Sequence, residues 1–129
     1  MVIDTPAILT ILFNEEEVTD LAIKIETDAI RLMSAANMLE TMIIVEARKG
    51  ESGVREFELM LYKANIEVVS FTKEHAEIAH QAWRKYGKGN HPAGLNLGDC
   101  FAYALAKTTN EPLLFKGDDF AKTDIRSAY

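Results

Sequence analysis

The sequence predicts an α/β fold: a three-layer α/β/α sandwich around a central parallel sheet of four to five strands. Three observations predict it. Short apolar runs at Val2-Ile3, Arg31-Leu32-Met33, Ile66–Phe71 and Pro112–Phe115 recur along the chain. Longer segments with helical periodicity separate them. Most runs are followed at once by a residue able to cap a helix. Strands joined through helices need crossovers, and crossovers make parallel sheets covered on both faces. With 129 residues, 48% hydrophobic and 26% charged, residues 1–129 form a single domain with room for a buried core.

The elements follow in order. Val2-Ile3 is a first strand ending at Asp4. Thr5 caps the next helix, and Pro6 lies in its first turn, where a missing N–H costs nothing. Ala7 to Phe13 fills that helix. Asn14 is placed to cap a second helix running to about Thr27, with Glu15, Glu16 and Glu17 in its first turn. Arg31-Leu32-Met33 is a second strand and Ser34 an N-cap. Ala35 to Lys49 is a long helix stopped by Gly50. Glu51 to Ala64 continues as another, with Val54, Phe57, Leu61 and Ala64 on one face. Ile66 to Phe71 is the clearest strand, and Thr72 caps a helix through Trp83. Tyr86 to Leu95 holds three glycines and a proline, so it is a loop. Asn96 caps a helix apolar nearly all round, which should therefore be buried. Pro112 to Phe115 is a fourth strand, Gly117-Asp118-Asp119-Phe120 turns away from it, and the chain near Ile125 adds a short edge strand.

Composition excludes several classes. The net charge of −6 rules out a generally basic nucleic-acid coat but not a local nucleic-acid site. A single cysteine, Cys100, excludes an intrachain disulfide and a cysteine-built zinc site. The N-terminus lacks the basic start of a signal peptide, and no window has the 18 or more apolar residues of a membrane span. A reduced cytoplasm is the expected location, with no membrane partner.

Four carboxylates are placed to reach the carboxyl edge of the sheet, where open α/β sheets bind ligands. Asp4 ends the first strand. Glu40 lies nearly two turns into the helix after the second. Its polar arc centres on Asn37, Thr41 and Arg48, and Glu40 falls off that arc among Ala36, Ile44 and Ala47. Asp99 lies in the first turn of the buried helix. Asp118 and Asp119 follow the fourth strand. Each has a plain structural alternative: a cap for Asp4 and Asp99, an ion pair for Glu40, a turn for Asp118-Asp119. Gathered at one edge, however, they would repel strongly unless a cation intervened. Carboxylate oxygens suit Mg2+, and Mn2+ would accept the same donors. Such an ion activates water against a phosphodiester.

These segments resemble the PIN-domain ribonucleases. Val2-Ile3-Asp4-Thr5 is similar to the family's opening. Ser34-Ala35-Ala36-Asn37-Met38-Leu39-Glu40 is similar to its second motif, Leu95 to Ala104 (LNLGDCFAYA) to its third, and Leu113 to Phe120 (LLFKGDDF) to its fourth. Order and spacing resemble the VapC toxins of type II toxin–antitoxin pairs over essentially the whole chain. The resemblance implies a Mg2+-dependent endoribonuclease that forms a homodimer and is neutralised by a small VapB-like antitoxin. Carried over by position, Asp4 and Asp99 are metal ligands, Glu40 a ligand or water-positioning base, and Asp119 the fourth acid. One departure stands out. The family usually carries Ser or Asn two residues after the first Asp, and here that residue is Pro6. Loss of such a supporting donor weakens metal binding or activity by about 10- to 100-fold.

Binding RNA needs positive charge. Between Ile78 and Gly98 there is no Asp or Glu, while Arg84, Lys85, Lys88 and His91 are present. Arg84, Lys88 and His91 are the candidate RNA contacts, set against a plain solvated loop. His75 and His80, about 140° apart on a helix, do not pair as ligands and are expected at the surface. Cys100 is expected in the core. Trp83, at helical spacing with Ala76 and Ala79, is expected to pack rather than stack on bases. Met38, Met42 and Met60 suit core or dimer surface. The six acids against one lysine from Asn14 to Asp28 suit a solvated face, with an antitoxin contact as the alternative. Two further classes compete with a nuclease. Phosphotransfer domains on similar sheets need a second Asp where Pro6 stands, or an acidic pair near the first strand. A catalytically weakened PIN-like binding module is the other alternative.

Overall fold

The computed structural model describes residues 1–129. Four short parallel strands, β1 (Val2–Ile3), β2 (Leu32–Ser34), β3 (Glu67–Val69) and β4 (Leu113–Leu114), form a sheet in the order β3-β2-β1-β4. Val2 pairs with both Leu32 and Leu113, so β1 is central. The expected edge strand near Ile125 is reduced to one parallel bridge between Ser127 and Leu113.

Alternation along the strands divides the core in two. Val2 and Leu113 face one side, where α4 (Lys73–Tyr86) and α5 (Leu97–Thr109) cover them with Ala79, Leu105 and Tyr103, joined by Phe120 from beyond β4. Ile3, Met33 and Leu114 face the other, beneath α1 (Thr5–Leu12), α2 (Val18–Thr27) and the second half of α3 (Ala35–Lys63), which contribute Ile8, Leu21 and Phe57. This is the expected three-layer sandwich. The chain runs from β1 outward through β2 to β3, then returns to β4 on the other side of β1. The order therefore reverses beside β1, and in such sheets the reversal opens a crevice at the carboxyl ends of the strands.

Local boundaries differ from expectation at the first two helices. Asp4, not Thr5, caps α1, because its Oδ1 accepts the Thr5 N–H at 2.8 Å. Asn14 takes a left-handed turn (φ 51°) instead of capping α2, and Glu15 to Glu17 precede that helix instead of forming its first turn. The break at Gly50 is where the sequence places it. Its φ of 67° interrupts α3, so the two expected helices run on as one kinked element.

Candidate active site

Asp4 is 2% exposed at the end of β1, directly at the crevice. Burial raises its carboxyl well above the ordinary range, and the charges of Asp99 and Glu40 push it further against the single Thr5 N–H bond. Asp4 is thus the cap of α1 and a buried acid at once: Oδ1 accepts the Thr5 N–H, while the charges of Asp99 and Glu40 act on the same carboxyl.

The first half of α3 overturns one expectation. Asn37 and Thr41 were expected on a solvent arc, but both are fully buried, while Leu39 and Ile43 are 60% and 61% exposed. The polar stripe faces inward because it has partners there. The Asn37 Nδ2 donates to the Gly98 carbonyl at 2.9 Å and to Glu40 Oε1 at 3.3 Å. The Thr41 hydroxyl donates to the Asn37 carbonyl at 2.8 Å and lies 3.2 Å from the Thr5 hydroxyl oxygen. Glu40 is half-buried beside this stripe, its carboxylate against the backbone of Gly98. Asn37, Thr41 and Gly98 are site residues that sequence patterning missed. The one available signal was their position within the same segments as Glu40 and Asp99.

Asp99 is 9% exposed at the start of α5. It completes a capping box: its N–H donates to Asn96 Oδ1 at 2.9 Å, and the Asn96 N–H donates to Asp99 Oδ2 at 3.0 Å. Burial raises its carboxyl to about 6 against the Asn96 bond, with Asp119 and Glu40 adding repulsion. Asp119 is exposed in the turn before the 3-10 turn Phe120–Lys122, yet its charge reaches Asp99. Asp118 makes no such contribution to Asp99. Asp4 and Asp99 thus each feel the charge of Glu40, Asp4 feels that of Asp99, and Asp99 that of Asp119.

No lysine or arginine neutralises them. The ion pairs of the chain join other groups, such as Lys107 to Asp124 at 2.6 Å and Lys73 to Glu77 at 3.1 Å. The expected alternative of an ion-paired Glu40 is thereby removed. No three His, Cys, Asp or Glu side chains are grouped so that they could hold a metal ion between them.

The basic segment lies at the end of α4 and in the loop after it. Arg84 and Lys88 are exposed. His91 is half-buried, with Nδ1 accepting the Ala93 N–H at 3.0 Å and its ring edge-on to Tyr86 at 5.1 Å, so it braces the loop. His75 departs from expectation: it is 7% exposed, with Nε2 3.2 Å from the Thr108 hydroxyl and a ring against Phe71. Trp83 departs in the other sense and is 47% exposed. Cys100 is buried as expected, and burial lifts its thiol to about 11.

A sheet reversing beside β1, with uncompensated acids after β1, in α3 and at the start of α5, defines a class. Residues 1–126 match the PIN-domain family, and the chain belongs to it. Within that family it is similar to Ribonuclease VapC30 of Mycobacterium tuberculosis, at 50% identity over 97% of this chain and 95% of the relative. It is 47% identical to Ribonuclease VapC of Mycolicibacterium smegmatis over the full length of both. Among solved structures, the VapC20 toxin of Mycobacterium tuberculosis, described as cleaving the sarcin–ricin loop, superposes with a TM-score of 0.78 at 11% identity, covering 96% of this chain and 95% of that one. A toxin–antitoxin complex from Klebsiella pneumoniae gives 0.69 at 20% identity over 99% and 97%. These two likenesses concern the fold. No helix is long and apolar enough to cross a membrane.

Proposed function

We propose that the chain is a metal-dependent endoribonuclease, the toxin of a toxin–antitoxin pair, working with Mg2+ in the cytoplasm. The observation that carries this is the pair of buried acids, Asp4 and Asp99, without a cationic partner. Isolated buried carboxylates are costly, and adjacent ones more so. A divalent ion resolves both costs. The donor set is oxygen only, which fits Mg2+ or Mn2+ and not a soft metal. Mg2+ usually keeps several waters and takes only one or two carboxylates, so an open arrangement of acids suits it.

In this reading Asp4 and Asp99 hold the ion. When bound, it supplies Lewis-acid chemistry, activating water and stabilising charge on the phosphate. Glu40, half-buried and tethered by Asn37, orients the attacking water and accepts its proton. Asp119, on the exposed side, completes the acidic rim. Pro6 puts no side-chain donor beside Asp4, and the Thr5 hydroxyl is engaged with Thr41 and the Asn37 carbonyl. Arg84 and Lys88 meet the RNA backbone, and His91 holds their loop in shape.

Two partners follow from the same reading. The exposed Leu39, Ile43 and Leu97 (60%, 61% and 70%) form the homodimer surface. A groove of about 770 Å3 between α2 and the second half of α3, lined by Ile25, Leu59 and Met60 and edged by Arg31 and Lys63, receives a VapB-like antitoxin segment.

The test is cleavage of RNA by purified protein, with RNA ends sequenced. Cleavage that requires Mg2+ and falls at least about 100-fold in Asp99→Asn supports the mechanism. Equal cleavage in that variant contradicts it.

A further inference from the structure

Asn37 lies in the first turn of α3 and is fully buried. A buried amide is costly unless both of its ends are hydrogen-bonded. The donor end is committed. Nδ2 donates to the Gly98 carbonyl at 2.9 Å and to Glu40 Oε1 at 3.3 Å. The Gly98 carbonyl can only accept, which fixes the nitrogen on that side. The backbone carbonyl of Asn37 is occupied too, by the Thr41 hydroxyl at 2.8 Å and the Thr5 hydroxyl at 3.4 Å. The acceptor end differs. Oδ1 is buried, yet no donor of the chain reaches it. Among buried side-chain polar atoms, only Nδ1 of His75 shares that condition.

A buried acceptor that the chain leaves without a donor is satisfied by a bound molecule, and water is the smallest that brings two donors. Position decides what such a water can do. Oδ1 shares its amide with the nitrogen that holds Glu40 Oε1, so one water spans the distance from Asn37 to the Glu40 carboxylate. Nδ2 engages Oε1 and leaves Oε2 as the oxygen open to a proton. Oε2 occupies the space that a Cβ on residue 98 would fill, one residue before Asp99. A nucleophilic water needs an acceptor for each hydrogen and a lone pair left for phosphorus. Asn37 Oδ1 and Glu40 Oε2 are two such acceptors. They differ in kind: the carboxylate can take the proton, and the amide oxygen can only orient it. Pro6 supplies no polar group beside Asp4, so this support comes from α3.

We propose that Asn37 is a further catalytic residue: its Oδ1 binds the attacking water, while its Nδ2 fixes Glu40 to receive that water's proton. The proposal rests on the ribonuclease reading and deepens it. In the step, the water oxygen bonds to phosphorus as one O–H bond breaks, and that proton passes to Glu40 Oε2. The second hydrogen stays on the transferred oxygen, bonded to Asn37 Oδ1. The P–O bond to the leaving ribose oxygen breaks, and its electron pair remains on that oxygen, which takes a proton from solvent.

Two measurements on the full chain test this. The first is a crystal structure of the wild type grown in chelator, at a resolution that shows ordered waters. A water within hydrogen-bond distance of both Asn37 Oδ1 and the Glu40 carboxylate is expected. An Oδ1 bonded by a protein donor, or one without that water, overturns the proposal. The second is the kinetics of Asn37→Ala. Its kcat for RNA cleavage in saturating Mg2+ is expected to fall about 10- to 100-fold, with KM unchanged and with Mn2+ affinity, read by calorimetry, also unchanged. An amide that only supports the fold gives another pattern: a lower melting temperature or weaker Mn2+ binding at the wild-type kcat. That pattern overturns the proposal. Should Asn37→Ala not fold, the water in the wild-type structure decides. Metal-dependent cutting by Asn37→Ala at the wild-type kcat removes Asn37 from the reaction and leaves the ribonuclease reading standing. A wild type that cuts no RNA with Mg2+ overturns that reading, and the proposal with it, whatever the crystal shows at Oδ1.

Discussion

Gly98 sets how closely Glu40 approaches the start of α5. A Cβ there would overlap the Glu40 carboxylate. That carboxylate is the far end of a flexible, half-buried side chain, so it can swing away cheaply. Alanine is also the better helix former by about 1 kcal/mol. Gly98→Ala should therefore fold with unchanged or raised thermal stability while RNA cleavage drops about 10- to 100-fold. Melting curves and cleavage rates on the same preparation check this, and wild-type activity in the alanine variant would remove Glu40 from the mechanism. Asp99 illustrates a related point. It caps the helix through Oδ2 and at the same time feels the charges of Asp119 and Glu40. Choosing between a structural and a functional role at such a position is a false alternative, and the sequence could only pose it as one.

At the scale of elements, α3 is the informative case. Its periodicity is visible in the sequence, and so are the Ser34 cap and the break at Gly50. Which face turns inward was not. Hydropathy sends Asn37 and Thr41 outward. Hydrogen-bond partners on α1 and α5 hold them inward and leave Leu39 and Ile43 in the open. Those partners are distant in sequence, so no local pattern could announce them. The same limit applies to Trp83 and His75, whose exposure is set by how α4 lies on α5. By contrast, the capping box Asn96–Asp99 is a local device and was legible. The inverted face of α3 carries a prediction. If Leu39 and Ile43 pack against a second copy, Ile43→Lys should shift the chain toward monomer in sedimentation or light scattering. A wild-type assembly state in that variant would place the contact elsewhere.

For the whole molecule, the acids shape stability as well as chemistry. Asp4 and Asp99 have folded-state values above the unfolded value, Asp99 at about 6 against 3.8. The folded chain then binds more protons than the unfolded chain between those values, so stability falls as pH rises through them. Asp28 behaves in the opposite way. The Ile30 N–H, against some burial, and the N-terminal ammonium hold it low. In Asp124, burial is outweighed by bonds from Lys107 and Tyr103. Their stabilisation is present above the unfolded value and is lost as pH falls through the folded ones. Metal-free protein should thus melt at higher temperature near pH 5 than near pH 7, then lose stability in stronger acid. A melting temperature that declines steadily from pH 7 to 5 in chelator would contradict this. The layered α/β architecture itself was readable because each strand and crossover helix announces itself locally. The placement of Asp4 at a strand end and of Asp99 at the start of the buried helix was readable for the same local reason.

The central claim is that these acids meet to hold a divalent ion. Titrating Mn2+ into the purified full chain, followed by calorimetry or by the Mn2+ resonance signal, tests it most directly. Saturable binding in the wild type that is lost in both Asp4→Asn and Asp99→Asn is the predicted result. Binding of unchanged affinity in those variants, or none in the wild type, would contradict the account.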